Sequence, residues 1–195
     1  MGILRGVQLD IIEPLVEAVA GAGLETIEIT MNTKDAAKLI RKAVKASGKN
    51  LMIGAGTVLD KDSLKSALSA GATFIVMPTL VKDVLEYCVK NKIPVFPGAL
   101  TPQEIYNAWQ SGATMVKVFP AKFFGPEYFR ELKGPFNDIK LLACGGVTPG
   151  NTKEYFNNGA GAISFGASVF KKEWLAAKDI KNICDSIKAY LKELP

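Results

Sequence analysis

Four times along the chain a helical pattern runs into Gly-Ala and is followed at once by a short strand of β-branched or aromatic residues. The four stretches are GAGLETIEIT at 21–30, SAGATFIVMP at 69–78, SGATMVKVFP at 111–120 and NGAGAISFG at 158–166. A glycine closing a helix, a short loop and a buried strand make up the αβ junction of α/β proteins. Further strand candidates lie between these echoes at 51–54, 95–99 and 140–143, with a first at 3–5, which makes eight. The segments between them place apolar residues three and four apart, as in 62–70 and 81–90. Thr101-Pro102-Gln103-Glu104 and Thr148-Pro149 mark helix starts, each with a capping hydroxyl and proline at the first helical position. Eight strands alternating with helices in 195 residues fit one closed (β/α)8 TIM barrel spanning 1–195, with a doubly wound open sheet as the alternative. The first strand begins almost at Met1, so the helix that usually precedes it is missing. A frayed first strand or a shortened chain is the expectation.

Strand parity then sorts the side chains. In Thr26-Ile27-Glu28-Ile29-Thr30 the isoleucines share one face and the polar residues the other. In a barrel the isoleucines meet the helices, so Glu28 and Thr30 point inward. The same parity in MVKVFPA at 115–121 sends Val116 and Val118 outward and Lys117 inward, and Ile3-Leu4-Arg5 adds a third interior charge. An acid, a lysine and an arginine on three strands converge only if the sheet closes. A structural ion cluster is the plain reading of such a set, and a reactive site the functional one.

The residues available for chemistry are restricted, because the chain contains no histidine. That excludes a Ser-His-Asp triad, an HExxH zinc site and any histidine base. Cys88, Cys144 and Cys184 are widely separated and form neither a disulfide framework nor a CxxC metal site. The net charge of +5 is spread along helices with acids interspersed, a solvated surface rather than a nucleic-acid footprint, and it suits an anionic small substrate. No apolar stretch approaches the ~20 residues of a membrane span. The amino terminus lacks the sections of a signal peptide, so a cytoplasmic location is expected.

Buried lysines as a class can react as free amines, attacking a ketone to form a carbinolamine and then a Schiff base. The iminium is an electron sink, and with histidine absent Glu28 is the natural carrier of protons at the adjacent carbon. Two glycine turns follow the seventh and eighth strand candidates, Cys144-Gly145-Gly146-Val147 and Phe165-Gly166-Ala167-Ser168. In barrels a phosphate commonly sits on the loops after these two strands, where Ser168 could add a hydroxyl. Tight turns alone would also explain the glycines. Gly54-Ala55-Gly56-Thr57 reads as a further close-approach loop after the third strand, with Thr57 able to bond a carboxylate or carbonyl.

These residues resemble the 2-keto-3-deoxy-6-phosphogluconate (KDPG) and 4-hydroxy-2-oxoglutarate (KHG) aldolases, class I pyruvate aldolases on a (β/α)8 barrel. The resemblance rests on ILRG, IEIT, GAGTV, PGALTP, VKVFPA, FGPEYFRELKGPF, GGVTPGN and FGAS, in family order over nearly the whole chain. It implies that Lys117 is the Schiff-base lysine and Glu28 the proton-transferring carboxylate. It further implies that Arg5, Thr57, Asn32 and Pro97 belong to the substrate-binding set, and that Gly145, Gly146, Gly166 and Ser168 line a phosphate site. No metal and no cofactor are implied; the partners are a phosphorylated keto acid, pyruvate and further copies of the chain in a homotrimer. Two positions depart from the family pattern. Some members carry an arginine where this chain has Asn32, for which Arg5 is the obvious substitute, and many carry threonine where it has Cys144. With ILRG and FGPEY, Asn32 also resembles the branch acting on 2-keto-3-deoxy-6-phosphogalactonate (KDPGal).

The expected activity is cleavage of a KDPG-type substrate to pyruvate and glyceraldehyde 3-phosphate, extending to KHG, with KDPGal as the alternative substrate. A phosphosugar epimerase or a non-catalytic phosphate-binding barrel would share the glycine turns, but neither would need a lysine inside the sixth strand.

Overall fold

The computed structural model describes residues 1–48 and 50–195. Among the described residues, nine strand segments are parallel throughout, and helices separate all of them except the fifth and sixth. One sheet runs β1 (Gly2–Leu4), β2 (Thr26–Thr30), β3 (Met52–Gly56), β4 (Ile75–Val76), β5 (Val95–Phe96), and the other β6 (Gly98–Ala99), β7 (Val116–Val118), β8 (Leu141–Cys144), β9 (Ala162–Ser164). β5 and β6 are one stave interrupted at Pro97, whose missing N–H cannot join a ladder. The two sheets meet again where Ile3 N–H donates to Phe165 O at 2.8 Å and Phe165 N–H donates to Met1 O at 3.1 Å. The sheet is therefore closed with eight staves, as a (β/α)8 barrel requires, and the open-sheet alternative falls. β1, the strand expected to fray, is paired with β2 on one side and bonded to Phe165 on the other, and it is the stave that closes the ring.

The helices in chain order are α1 (Ile12–Gly21), α2 (Ala36–Ala46), α3 (Lys61–Ser69), α4 (Lys82–Lys90), α5 (Pro102–Gln110), α6 (Glu127–Lys133), α7 (Pro149–Asn157), α8 (Lys172–Ala176) and α9 (Ile180–Leu191). α2 shows why they cover the barrel: Leu39, Ile40 and Ala43 are fully buried while Lys38, Arg41 and Lys45 face water. On the strands Ile27, Ile29, Val116 and Val118 are each 0 % exposed and pack into this outer core, as parity requires. Burying each such side chain contributes about 1.5–3 kcal/mol. The expected start of α5 is a full capping box: Glu104 N–H donates to Thr101 Oγ1 at 3.3 Å and Thr101 N–H donates to Glu104 Oε2 at 2.8 Å. At α7, Thr148 N–H donates to Asn151 Oδ1 at 2.7 Å.

Close approach of neighbouring staves depends on Gly98, where a Cβ would lie 2.2 Å from the Pro78 carbonyl oxygen. Gly150, in α7, has nothing closer than 3.9 Å. Gly98→Ala should therefore lose about 1–3 kcal/mol of stability through overpacking, whereas Gly150→Ala should gain roughly 0.5–1 kcal/mol through helix propensity. Urea denaturation of both variants checks this, and a Gly98→Ala protein as stable as the parent would contradict it.

Candidate active site

Glu28 occupies the middle of β2, in register with Ile3 on β1 and Gly54 on β3. Lys117 occupies the middle of β7; its N–H donates to Pro97 O at 2.9 Å and its register partners are Gly98 and Leu142. β2 is the second stave and β7 the sixth, on opposite sides of the ring. Their side chains meet across the interior, with Lys117 Nζ 4.0 Å from Glu28 Oε1 and the two side chains 8 % and 2 % exposed. Among the described residues, Glu28 Oε2 is a buried oxygen without a hydrogen-bond partner. Lys117 Nζ also lies 5.3 Å from the centre of the Phe119 ring, whose face attracts a cation.

Burying an ion costs several kcal/mol, and a partner at 4.0 Å offsets only part of that. Burial accordingly raises the Glu28 carboxyl above the ordinary glutamate value of 4.5, while Lys117 and then Arg5 pull it back down. A raised carboxyl is one that can both take and return a proton, the requirement for general acid–base work. Beside Lys117 the Cys144 thiol is 2 % exposed, and burial pushes its pKa up as well.

The space for this pair comes from β3. A Cβ on Gly56 would lie 2.6 Å from the Glu28 carboxyl carbon, and one on Gly54 would overlap the Phe74 ring at 2.2 Å. Gly54 lies inside β3, within the strand expected at 51–54, while Gly56, expected in the loop after it, is corrected to a strand residue. They admit a carboxylate and an aromatic ring where side chains would fill the barrel.

Arg5 needs a second correction. It lies just past the end of β1 and is exposed, so it belongs to the rim of the barrel rather than its interior. There Nη2 donates to Thr57 Oγ1 at 3.4 Å. Thr57 adopts φ 55°, a left-handed conformation that costs a β-branched residue about 1–3 kcal/mol and is typical of functional loops. Asn32 is exposed on the turn after β2. Pro97 is buried and acts on the site through its carbonyl, which holds the Lys117 backbone. Inward-facing Thr30 is tied to the loop after β1: its Oγ1 lies 2.9 Å from Thr33 Oγ1, which accepts from Gly6 N–H at 3.0 Å.

The two glycine turns open onto the same end of the barrel, where the β8 and β9 staves finish. Gly145 and Gly146 have φ of 89° and 84°, the region that favours glycine, and a Cβ on Gly146 would lie 2.4 Å from Lys122 Cβ. Among the described residues the N–H groups of Gly145, Gly146, Ala167 and Ser168 donate to no protein acceptor. Four free N–H groups on two adjacent loops suit an anion. Ser168 Oγ lies 2.9 Å from Tyr190 OH. Sequence reading passed over Tyr190, because a tyrosine on an amphipathic C-terminal helix looks like ordinary core. Among the described residues no three Cys, Asp or Glu side chains gather as metal donors, and no helix is long and apolar enough to cross a membrane.

Comparison with known proteins follows this geometry. The family model described as KDPG and KHG aldolase matches residues 1–186. The chain is 32 % identical to the 2-dehydro-3-deoxy-6-phosphogalactonate aldolase of Escherichia coli, covering 97 % of this chain and 93 % of that protein. It is 36 % identical to the 2-dehydro-3-deoxy-phosphogluconate aldolase of Pseudomonas aeruginosa over 73 % of this chain and 64 % of that protein. Among solved structures, the KDPG aldolase of Legionella pneumophila with pyruvate captured as a covalent carbinolamine superposes with a TM-score of 0.87 at 25 % identity, covering 96 % of this chain and 90 % of that one.

The raised Glu28 carboxyl has a consequence for stability. The folded chain holds that proton more tightly than the unfolded one, so its contribution is fully present below the unfolded pKa and is lost as pH rises through the folded pKa. Glu28→Gln removes the titration. Urea denaturation from pH 4.5 to pH 8 should show the stability of Glu28→Gln rising relative to the parent as pH increases; a relative fall would contradict the assignment.

Proposed function

The chain belongs to the KDPG and KHG aldolase family, a class I aldolase and thus a lyase, and from that premise we propose that Lys117 is its Schiff-base nucleophile and Glu28 its proton carrier. The observation that carries this reading is the buried approach of Lys117 Nζ to Glu28 at 4.0 Å, with one carboxylate oxygen left unpartnered. The substrate is a 2-keto-3-deoxy-6-phospho sugar acid of the gluconate or galactonate series, since relatives of both names resemble the chain. KHG cleavage to pyruvate and glyoxylate is the unphosphorylated counterpart. The whole of 1–195 serves as one catalytic domain, and the family resemblance points to a homotrimer.

Lys117 Nζ adds to the C2 carbonyl to give a carbinolamine, which loses water to form the iminium. Glu28, through a water molecule, takes the proton from the C4 hydroxyl. The C3–C4 bond breaks, its electrons pass to the iminium nitrogen, and glyceraldehyde 3-phosphate leaves an enamine on Lys117. Glu28 returns a proton to C3, and water hydrolyses the imine to release pyruvate and the free amine. The carbinolamine captured with pyruvate in the Legionella relative supports the first of these steps. Arg5 and Thr57 at the rim offer a guanidinium and a hydroxyl to the substrate carboxylate, Asn32 offers an amide from the turn after β2, and Pro97 contributes by holding the Lys117 backbone through its carbonyl. Gly145, Gly146, Gly166 and Ser168 form the phosphate end.

Borohydride reduction in the presence of pyruvate should leave a stable adduct on Lys117, located by peptide mass mapping. Glu28→Gln should still form that adduct but turn over about 10²–10⁴-fold more slowly. An adduct elsewhere, or unchanged turnover in Glu28→Gln, would overturn the assignment.

A further inference from the structure

Tyr190 stands outside every role given so far. It lies in the last turn of α9, is 1 % exposed, and stacks its ring on Phe165 with centroids 4.3 Å apart. Its hydroxyl reaches both glycine loops, donating to Val147 O at 2.7 Å and lying 2.9 Å from Ser168 Oγ. A carbonyl oxygen carries no proton, so the single tyrosine proton is committed to Val147. The Ser168–Tyr190 bond must then use the proton of Ser168, whose hydroxyl is left with only lone pairs. A phosphate dianion is an acceptor and gains nothing from such a hydroxyl. Among the described residues the main-chain N–H groups of Gly145, Gly146, Ala167 and Ser168 remain free to donate.

We propose that Tyr190 is a positioning residue for the phosphate end of the site: its hydroxyl locks the loops after β8 and β9 together so that their N–H groups converge, and Ser168 serves this lock rather than bonding phosphate through its side chain. The β8 loop is held from a second side by Asn151, whose Nδ2 donates to Gly146 O at 3.1 Å while its Oδ1 accepts from Thr148 N–H. No equivalent side chain holds the β9 loop among the described residues. There Tyr190 supplies both the hydrogen bond to Ser168 and the stacked ring beneath Phe165. The inference rests on the reading of these loops as the phosphate end, and it requires nothing of Lys117 chemistry.

Two readouts separate the inference from that reading. Binding of glycerol 3-phosphate, followed by calorimetry, reports the loops, and exchange of pyruvate methyl protons with solvent deuterium reports the Lys117 end. Tyr190→Phe keeps the ring and deletes the hydroxyl; it should weaken glycerol 3-phosphate binding about tenfold while pyruvate exchange changes less than threefold. Ser168→Ala should weaken binding no more than Tyr190→Phe does, and the double variant no more than Tyr190→Phe alone. Unchanged binding in Tyr190→Phe, a larger loss in Ser168→Ala, or a parallel loss of exchange and binding would each overturn the lock. No pyruvate exchange in the parent protein would refute the Lys117 reading, while the binding measurements would still decide the role of Tyr190.

Discussion

Closure of the sheet between β9 and β1 is the constraint on which everything else depends. β2 and β7 are four staves apart in either direction around the ring. In an open sheet with strands ~4.8 Å apart, that separation would be roughly 19 Å. Closed, the same strands bring Glu28 and Lys117 within 4.0 Å of each other across the interior. Short hydrogen bonds from Ile3 and Phe165 hold that seam, and the acid–lysine pair is its chemical result.

The interior is made to fit the pair by omission. Gly54 and Gly56 remove two side chains from β3, and the freed volume takes the Phe74 ring and the Glu28 carboxylate. Opposite Lys117, Gly98 lets its stave approach the Pro78 carbonyl. The carboxylate so placed is desolvated, which raises its pKa; the lysine beside it offsets only part of that effect. Stability is given up locally so that an ionisable pair can occupy a place that a hydrophobic core would fill more cheaply. The raised Glu28 carboxyl inside the barrel, its Oε2 without a partner among the described residues, and the left-handed Thr57 at the rim are local costs of the site.

Much of this was legible in the sequence because β-strand parity is strict. Alternation alone placed Glu28, Thr30 and Lys117 inside and Ile27, Ile29, Val116 and Val118 against the helices. The capping residues at Thr101 and Glu104 marked α5 because their bonds are local. Failures came where the determining contact is distant in sequence. Gly56 looked like part of a turn, because the group it makes room for, the Glu28 carboxylate, belongs to another strand far away in sequence. Arg5 looked interior because parity gives a side chain's face but not its height along the barrel axis. Tyr190 was invisible because its partners, Val147 and Ser168, lie in loops that only the finished fold brings to α9.

The central claim is that Lys117 and Glu28 act together on the carbon next to an imine. Exchange of the pyruvate methyl protons in deuterium oxide, followed by NMR, tests it most directly, because exchange needs both the iminium and a base at that carbon. The account predicts rapid exchange in the parent protein and none above background in Lys117→Met. In Glu28→Gln exchange should fall at least about a hundredfold even though borohydride still traps pyruvate on Lys117. Exchange at the parental rate in either variant would contradict it.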